Sequence, residues 1–531
     1  MLVSGEGGQG KTRLARQFAA RARQAGWAAG FLAARTSGLA PGGGRDQLPS
    51  TVGLAAHARA AARPVLLVVD YAETRPDEIT ALADILAGSP PAYPVRVLLL
   101  SRTAGAWWAN LTETLGPHLT HRISLEPLTV AGATRRDAYA AAVTGLARRL
   151  AALPDSPVER APDQPWGALA EHLAAYPPGL DDPRLGNALT LQITALTSLL
   201  DAAAGRTPAS DSGERELIGH ERGYLRRSAA RRRLFSPGML SDRVDDDERA
   251  EEAWAALERA LAGIILLGPC DVSQARAIGA LTSQARADDV ANWLAALYPP
   301  PGEGFRLGTV QPDRIAELLL GPILIRQPAL LGEIGIVTEA VDDAYAALFA
   351  LMRTAAHPRF SQVGEQVADL IISRPAPFAV AAPVLAATLA QRGPLRDGLV
   401  CLGQQDPEAF RQNAYAIIDQ LPEISVSGAL FSAALTTEIT DILRQLAASD
   451  PDAYLPDLAS ALNNLGNRLA NAGQRQAALA PAQEAADTYR QLAAAEPDAY
   501  LPALASALNN LGSRLAEAGQ RQAALAPAQE A

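Results

Sequence analysis

The sequence predicts an α/β domain at its start, followed by all-α domains that end in a helical repeat array. Residues 1–125 alternate short apolar strands with helical segments, as a parallel sheet requires. From residue 126 onward the apolar residues recur mainly with helical spacing. Near the end, a long stretch of sequence returns almost unchanged 46 residues later, which indicates a repeat architecture. A chain of 531 residues has room for several such domains.

The first predicted strand leads into a glycine-rich loop that reads GEGGQGKT between Gly5 and Thr12. It matches the pattern G-x-x-x-x-G-K-[ST], which predicts backbone N–H groups arranged around the phosphates of a nucleotide. In this pattern Lys11 reaches the β- and γ-phosphates and Thr12 ligates Mg²⁺. A helix is expected next, with Leu14 and Phe18 on one face. The predicted nucleotide-binding residues are Gly5, Glu6, Gly7, Gly8, Gln9, Gly10, Lys11 and Thr12.

Lys11 also has an unusual place in the composition. It is the only lysine in the sequence, and the other 46 of the 47 basic residues are arginines. A compact ammonium group suits a phosphate where a planar guanidinium does not. This favours the phosphate-loop interpretation over a chance glycine-rich turn.

A second apolar run, residues 64–70, predicts a buried strand with Asp70 at its tip. An acid in this place holds Mg²⁺ in phosphate-loop enzymes, here together with Thr12, although it could instead cap the next turn. Tyr71 stands where many ATPases carry a second acid. Glu73 is the nearest substitute for the catalytic base, or else a solvated loop acid, so we predict slow hydrolysis.

A third apolar run, residues 95–100, predicts a strand that is followed by Arg102. A basic residue at the tip of a strand beside the phosphate-loop strand can sense the γ-phosphate. The alternative is an ordinary surface arginine. The predicted catalytic residues are thus Lys11, Asp70, Glu73 and Arg102, and the predicted metal ligands are Thr12 and Asp70.

The order of these motifs is the most specific signal. VLLVVDYAETR at residues 65–75, VLLLSR at 97–102 and ISLEPL at 123–128 follow the glycine loop. This order resembles the signal-transduction ATPases with numerous domains, which include the NACHT and NB-ARC modules. The resemblance implies a P-loop NTPase core at residues 1–125, ATP or ADP with Mg²⁺ as cofactors, and a nucleotide-dependent homo-oligomer.

The same resemblance implies a helical lid over residues 126–235. We predict helices at residues 129–153, 166–176 and 185–203, and another that begins at residue 219. The family carries a Gly-x-Pro-type turn that reaches the nucleotide, whereas this chain has Ala188 in place of the proline. We interpret His220 as a structural residue at a helix start, with a sensing role as the alternative. The arginine-rich residues 226–233 could bind nucleic acid, but we interpret them as a solvated helix face.

Two further helical regions precede the repeats. Residues 236–330 contain three predicted helices and then an alternating strand at residues 305–310, which resembles the winged-helix module of the same ATPases. This region is not basic, so we do not expect it to bind DNA. Residues 331–440 predict a plain array of helices.

The last region, residues 441–531, is a true repeat. ALNNLGNRLANAGQRQAALAPAQEA at residues 461–485 returns as ALNNLGSRLAEAGQRQAALAPAQEA at 507–531. The spacing of its leucines, glycine and alanines is that of the tetratricopeptide helix pair. We expect the array to bind a protein or peptide trigger. Candidate contact residues on a helix face are Asn463, Asn464, Asn509 and Asn510, which could equally be solvated.

Bulk properties limit the remaining possibilities. The net charge of −10 argues against a dedicated nucleic-acid binder. The two cysteines, Cys270 and Cys401, indicate neither a disulfide framework nor a zinc site. No apolar run has the roughly 18 residues needed to span a bilayer, so we expect a cytoplasmic protein without membrane contacts. The abrupt start and the incomplete last repeat suggest a fragment of a longer protein.

Together these features predict an ATP-binding, slowly hydrolysing signalling switch whose repeats sense a partner and control oligomerisation. The sequence leaves two alternatives open. One is a transcriptional regulator with the same switch. The other is a repeat scaffold with a degenerate ATPase, which Tyr71 favours.

Overall fold

The computed structural model describes residues 1–32, 56–58, 60–74, 79–80, 82–83, 86, 92–102, 104, 108–109, 111–112, 121–129, 134–153, 157–158, 162–207, 213–234, 244–300, 302, 304–338, 340–388, 393–419 and 426–531. The sequence also predicts a loop at residues 40–50 and a helix at 53–63. The loop and residues 53–55 and 59 of the helix lie outside the described residues. The chain divides near residue 250 into two compact units, which are described separately.

The first unit contains a five-stranded parallel sheet. Its strands are β1 (Leu2–Ser4), β2 (Ala28–Phe31), β3 (Val65–Val69), β4 (Val95–Ser101) and β5 (Arg122–Ser124). They pair in the order β2-β3-β4-β1-β5, and every pair is parallel. Strands β1 and β3 are buried along their whole length, as their apolar sequences require, whereas β5 is an exposed edge.

Helix α1 (Lys11–Gln24) packs against this sheet through small residues. Ala15 and Ala19 are buried among Val3, Leu66 and Leu98. Leu14 and Phe18 share one face of the helix, as predicted, but that face is the outward one, with side chains 47% and 48% exposed. Alanines on the inner face allow the helix axis to approach the sheet closely.

Four further helices follow the sheet. They are α2 (Thr134–Ala151), α3 (Trp166–Ala175), α4 (Ala188–Ala203) and α5 (Gly213–Arg231). Helix α5 begins six residues before the predicted start at Gly219, so the prediction that His220 lies at a helix start is wrong. Glu214 and Glu216 in the first turn suit the positive end of the helix dipole, which favours the earlier start.

The second unit is helical throughout its described residues, apart from one isolated β-bridge. Its helices before the repeats are α6 (Val244–Leu267, whose first turns belong to the first unit), α7 (Val272–Ala280), α8 (Ala287–Leu297), α9 (Asp313–Arg326), α10 (Leu330–Val337), α11 (Val341–Ala355), α12 (Val363–Ser373), α13 (Pro375–Thr388), α14 (Gly393–Gln405) and α15 (Pro407–Asp419). The strand predicted at residues 305–310 contributes only the antiparallel bridge between Leu307 and Cys270. The segment around Cys270 lies between two helices and is too short to form a strand that residues 305–310 could pair with. Among the described residues no single helix is long and apolar enough to cross a membrane. Helices α9 and α10, which meet at a sharp bend, reach that length and apolarity only when they are taken together.

The repeats form five helices: α16 (Val426–Ser449), α17 (Pro451–Asn471), α18 (Leu479–Ala495), α19 (Pro497–Glu517) and α20 (Leu525–Glu530). Gly473 and Gly519 have positive φ angles of 77° and 85°, and each follows the end of a first helix, as the repeat sequence predicts. Gly466 lets α17 and α18 approach, because a methyl group there would lie 3.3 Å from the Ala482 Cβ atom. The pairs are therefore packed through small residues, as the sequence predicts.

Candidate functional site

The sheet order brings the ends of three strands together. Strand β1 lies between β4 and β5, and β4 lies between β1 and β3. Because all strands are parallel, the loop after β1, Asp70 after β3 and Arg102 after β4 emerge from the same edge. The predicted site residues thus meet although they lie far apart in the sequence.

The glycine loop, defined as residues 5–10, curls tightly before α1. Gly8 and Gly10 have φ angles of 85° and 86°, which favour glycine. The Lys11 Nζ atom donates to the carbonyl oxygens of Gly5, at 2.6 Å, and Glu6, at 2.9 Å. The N-cap of α1, Gly10, has no side chain to cap the first N–H groups of the helix. An uncapped helix start beside a lysine is a favourable place for an anion.

Thr12 and Asp70, the two predicted metal ligands, are in direct contact. The Thr12 Oγ1 atom donates to Asp70 Oδ2 at 2.8 Å, and Asp70 Oδ1 accepts from the Tyr71 N–H at 3.0 Å. Neighbouring ligands of an octahedral Mg²⁺ with bonds of 2.0–2.1 Å lie about 2.9 Å apart. The two oxygens therefore fit one edge of such a site. Among the described residues no group of three His, Cys, Asp or Glu side chains could hold a metal, and Mg²⁺ does not need one when phosphates and water complete its shell.

Glu73 and Arg102 are joined directly. The backbone N–H of Arg102 donates to Glu73 Oε1 at 3.0 Å. The other carboxylate oxygen, Oε2, is buried and has no hydrogen-bond partner among the described residues. The Arg102 side chain reaches the glycine loop, since a methyl group on Gly7 would lie 4.0 Å from its Nε atom. The Glu73 carboxylate is therefore held through one oxygen by the residue that follows β4.

These charges act on Lys11. Burial lowers the pKa of the Lys11 ammonium below its ordinary value, Glu73 opposes this lowering, Arg102 reinforces it and Asp70 opposes it. Because burial, two carboxylates and a guanidinium all act on this half-buried ammonium, an added anion should shift its pKa further.

The start of helix α4 also contacts the glycine loop, which the sequence analysis did not predict. The Asn187 Nδ2 atom donates to the Gly7 carbonyl oxygen at 2.7 Å, and the Leu189 N–H donates to the Gly8 carbonyl oxygen at 2.9 Å. Asn187 is also the N-cap of α4, where its Oδ1 atom accepts from Leu189 N at 3.1 Å and Thr190 N at 3.3 Å. An asparagine directly before a helix is a recognisable cap, but its second contact depends on the tertiary fold.

His220 has the structural role that the sequence favours. Its Nε2 atom lies 3.0 Å from Asp201 Oδ1, which also accepts from Arg206 at 2.8 Å. Asp201 is buried, so these contacts supply the partners that a buried carboxylate needs. The three residues lie on one side of a 510 Å³ cavity between α4 and α5, apart from the residues predicted for the nucleotide site.

The repeat array contains a series of ion pairs between successive helices, called here the ion-pair ladder, that was not predicted from the sequence. Arg444 and Arg490, 46 residues apart, each bind a glutamate 40 residues further on, with Nη2 to Oε2 distances of 2.9 Å to Glu484 and 2.6 Å to Glu530. Arg396 on α14 binds Glu438, which lies 46 residues before Glu484. The three glutamates therefore share one 46-residue period, whereas Arg396 lies 42 residues before its glutamate and does not share the period.

On the first helices of the repeats, two of the predicted contact residues meet. Asn510 on α19 donates to Asn463 on α17 at 3.0 Å. Asn509 is exposed, and Asn464 is half-buried. The structure thus places a row of side-chain amides across two adjacent helices.

The comparisons with known proteins identify only the last part of the chain. The tetratricopeptide repeat family matches residues 458–496 and 504–531. Nothing matched among the curated proteins or among the solved structures that were compared. The family match thus lies within the array, while the nucleotide site depends on geometry and sequence pattern.

Proposed function

We propose that the chain is an ATP-binding, slowly hydrolysing signalling switch whose repeat array binds a protein partner. In this proposal residues 5–12 bind the phosphates, and Thr12 and Asp70 hold Mg²⁺. When bound, Mg²⁺ would neutralise phosphate charge. Exchange of ADP for ATP would change the conformation and promote homo-oligomerisation.

The observation that carries the proposal is the convergence of Lys11, Thr12 and Asp70 at one sheet edge. A helix start without a side-chain cap, a single ammonium and a hydroxyl 2.8 Å from a carboxylate lie together at the loop after β1 and the end of β3. Each of these groups has a use in holding a magnesium–triphosphate. Glu73 is the candidate base, and slow rather than fast hydrolysis is expected because Tyr71 stands where many ATPases carry a second acid.

The array supports the second half of the proposal. Tetratricopeptide repeats are shown for residues 458–496 and 504–531, and repeat arrays present extended binding surfaces. The amides of Asn463, Asn464, Asn509 and Asn510 can both donate to and accept from a peptide backbone. A protein or peptide partner is therefore the natural ligand of this face.

Binding of ATP by the purified chain tests the nucleotide site. Loss of the ammonium in Lys11→Ala removes charge-assisted hydrogen bonds, so we expect the Kd for Mg-ATP to rise roughly 10- to 100-fold in calorimetry. Lys11→Arg is the matched control for charge alone, and it should recover only part of the affinity. Equal affinity in wild type and Lys11→Ala, or no binding by either, would contradict the proposal.

The single lysine allows a second, independent readout. An amine-reactive probe can modify only Lys11 and the N-terminal amine, and Lys11→Ala gives the background. Since the pKa of Lys11 is lowered, its labelling should reach half-maximal rate at a pH below that of an ordinary lysine. Added ATP should slow the labelling and move this midpoint to higher pH, because phosphate charge stabilises the ammonium.

A repeat scaffold without a working switch is the second candidate. It is favoured by the family match, which covers only the array, and by Tyr71 at the position of the second acid. Absence of Lys11-dependent nucleotide binding, together with capture of a peptide by the array, would select it.

A further inference from the structure

The lid contributes two hydrogen-bond donors to the back of the glycine loop. Asn187 Nδ2 and Leu189 N, both at the start of α4, bind the carbonyl oxygens of Gly7 and Gly8 at 2.7 and 2.9 Å. These are consecutive peptide groups in the middle of the loop. Their nearness leaves no room for a side chain, since a methyl group on Gly8 would lie 2.5 Å from Asn187 Oδ1.

Because a peptide group is planar, a contact at its carbonyl oxygen also fixes the direction of its N–H. In a trans peptide the C=O and the following N–H point in opposite directions. A carbonyl of Gly7 held toward the lid therefore aims the N–H of Gly8 away from it, and a held carbonyl of Gly8 does the same for Gln9. The Gln9 N–H does point to the other side, where it donates to the Glu6 carbonyl oxygen at 3.3 Å, the same oxygen that Lys11 Nζ contacts.

The two donors are themselves held in place. Arg135, buried at 5% exposure, donates from Nη1 to the Leu180 and Asp182 carbonyl oxygens and from Nη2 to that of Leu128, at 2.6 to 3.0 Å. The Leu128 N–H donates to Gly186, the residue before Asn187, at 2.8 Å. The turn that leads into α4 is thus fixed to the chain leaving the sheet, and Asn187 is presented to the loop from a fixed base.

We propose that Asn187 is a positioning residue, which holds the peptide group between Gly7 and Gly8 with its N–H turned toward the phosphates, while Leu189 N holds the next peptide group, whose Gln9 N–H closes the loop on Glu6. This inference rests on the proposed function, because it assigns Asn187 a part in nucleotide binding. The lid is then required for affinity, and nucleotide binding and lid docking stabilise each other, since coupling between sites is reciprocal.

Asn187→Ser separates the two roles of the side chain. Serine caps a helix about as well as asparagine, so α4 keeps its N-cap. Its hydroxyl is one bond too short to reach the Gly7 oxygen. We expect the Kd for Mg-ATP to rise roughly 5- to 10-fold, the effect of one hydrogen bond, in calorimetry. Asn187→Asp keeps the cap but loses the donor, and should weaken binding further through charge.

Hydrogen exchange without nucleotide supplies a readout that a purely structural cap would not move. In Asn187→Ser the amides of residues 5–10 should exchange several-fold faster than in wild type, while those of residues 191–203 in α4 keep their protection. Unchanged loop exchange together with unchanged ATP affinity would overturn the proposal. If wild type binds no ATP, the proposed function fails, and the exchange of the loop still decides whether Asn187 positions it.

Discussion

The candidate site joins residues that are far apart in the chain, whereas the repeat array joins residues one repeat apart. Thr12 contacts Asp70 across 58 positions, and Asn187 contacts Gly7 across 180. In the array, Arg444 and Arg490 each reach a glutamate 40 positions on, with the same pair of atoms in each unit. The first arrangement depends on the whole topology of its unit, and the second only on neighbouring helices.

This difference predicts how far the effect of a single substitution should extend in each region. The loop, the strand tips and the start of α4 hold one another, so a misfit at one of them should affect all. Repeat arrays are stabilised by terms within each repeat and between neighbours, so the effect of a change should remain local. Paired variants in the two regions can test this contrast.

Gly8→Ala should have the largest effect. The added methyl group would lie 2.5 Å from Asn187 Oδ1, and alanine is strained at the φ of 85°. We expect the Kd for Mg-ATP to rise by about 100-fold or more in calorimetry, together with a lower melting temperature of the first unit.

Gly7→Ala is the matched control for that change. Its methyl group would meet only Arg102 Nε, at 4.0 Å, an ordinary contact, and the φ of Gly7 is not among the positive values. We expect its affinity for ATP to stay within about threefold of wild type. Equal losses in the two variants would mean that the loop is not held from the Gly8 side.

Sequence patterns predicted those features that depend on a run of neighbouring residues. Apolar runs predict strands β1, β3 and β4, a motif predicts the helix that follows the glycine loop, and a nearly exact repeat predicts the helix pairs. The contact of Asn187 with Gly7 could not be predicted, because no local pattern relates residues 180 positions apart. Glu438 could have been found, since it lies 46 residues before Glu484 and residues 441–448 correspond to 487–494, but its partner Arg396 lies before the repeated sequence.

Gly466→Leu should have an intermediate effect, confined to the array. The added Cβ would lie 3.3 Å from the Ala482 Cβ and 3.4 Å from the Ala478 oxygen, so a leucine must push α17 and α18 apart. We expect a loss of about 1–3 kcal/mol in the free energy of unfolding of the array, measured with urea. Gly512→Leu, one repeat later, meets only two atoms, at 3.4 and 3.9 Å, and should cost less. The reverse order would show that packing differs between the repeats.

Arg444→Met should have the smallest effect, because it removes one step of the ion-pair ladder while keeping an apolar stem. The Arg444 and Glu484 side chains are 43% and 42% exposed, and exposed pairs contribute about 0.2–1 kcal/mol. Arg490→Met, the equivalent change one repeat later, should cost a similar amount, since Arg490 is 36% and Glu530 42% exposed. Urea unfolding in 1 M salt should shrink both losses, as screening weakens exposed pairs. A loss above about 2 kcal/mol, or one that also lowers ATP affinity, would contradict the local character of the array, because a surface pair would then control more than its own two helices.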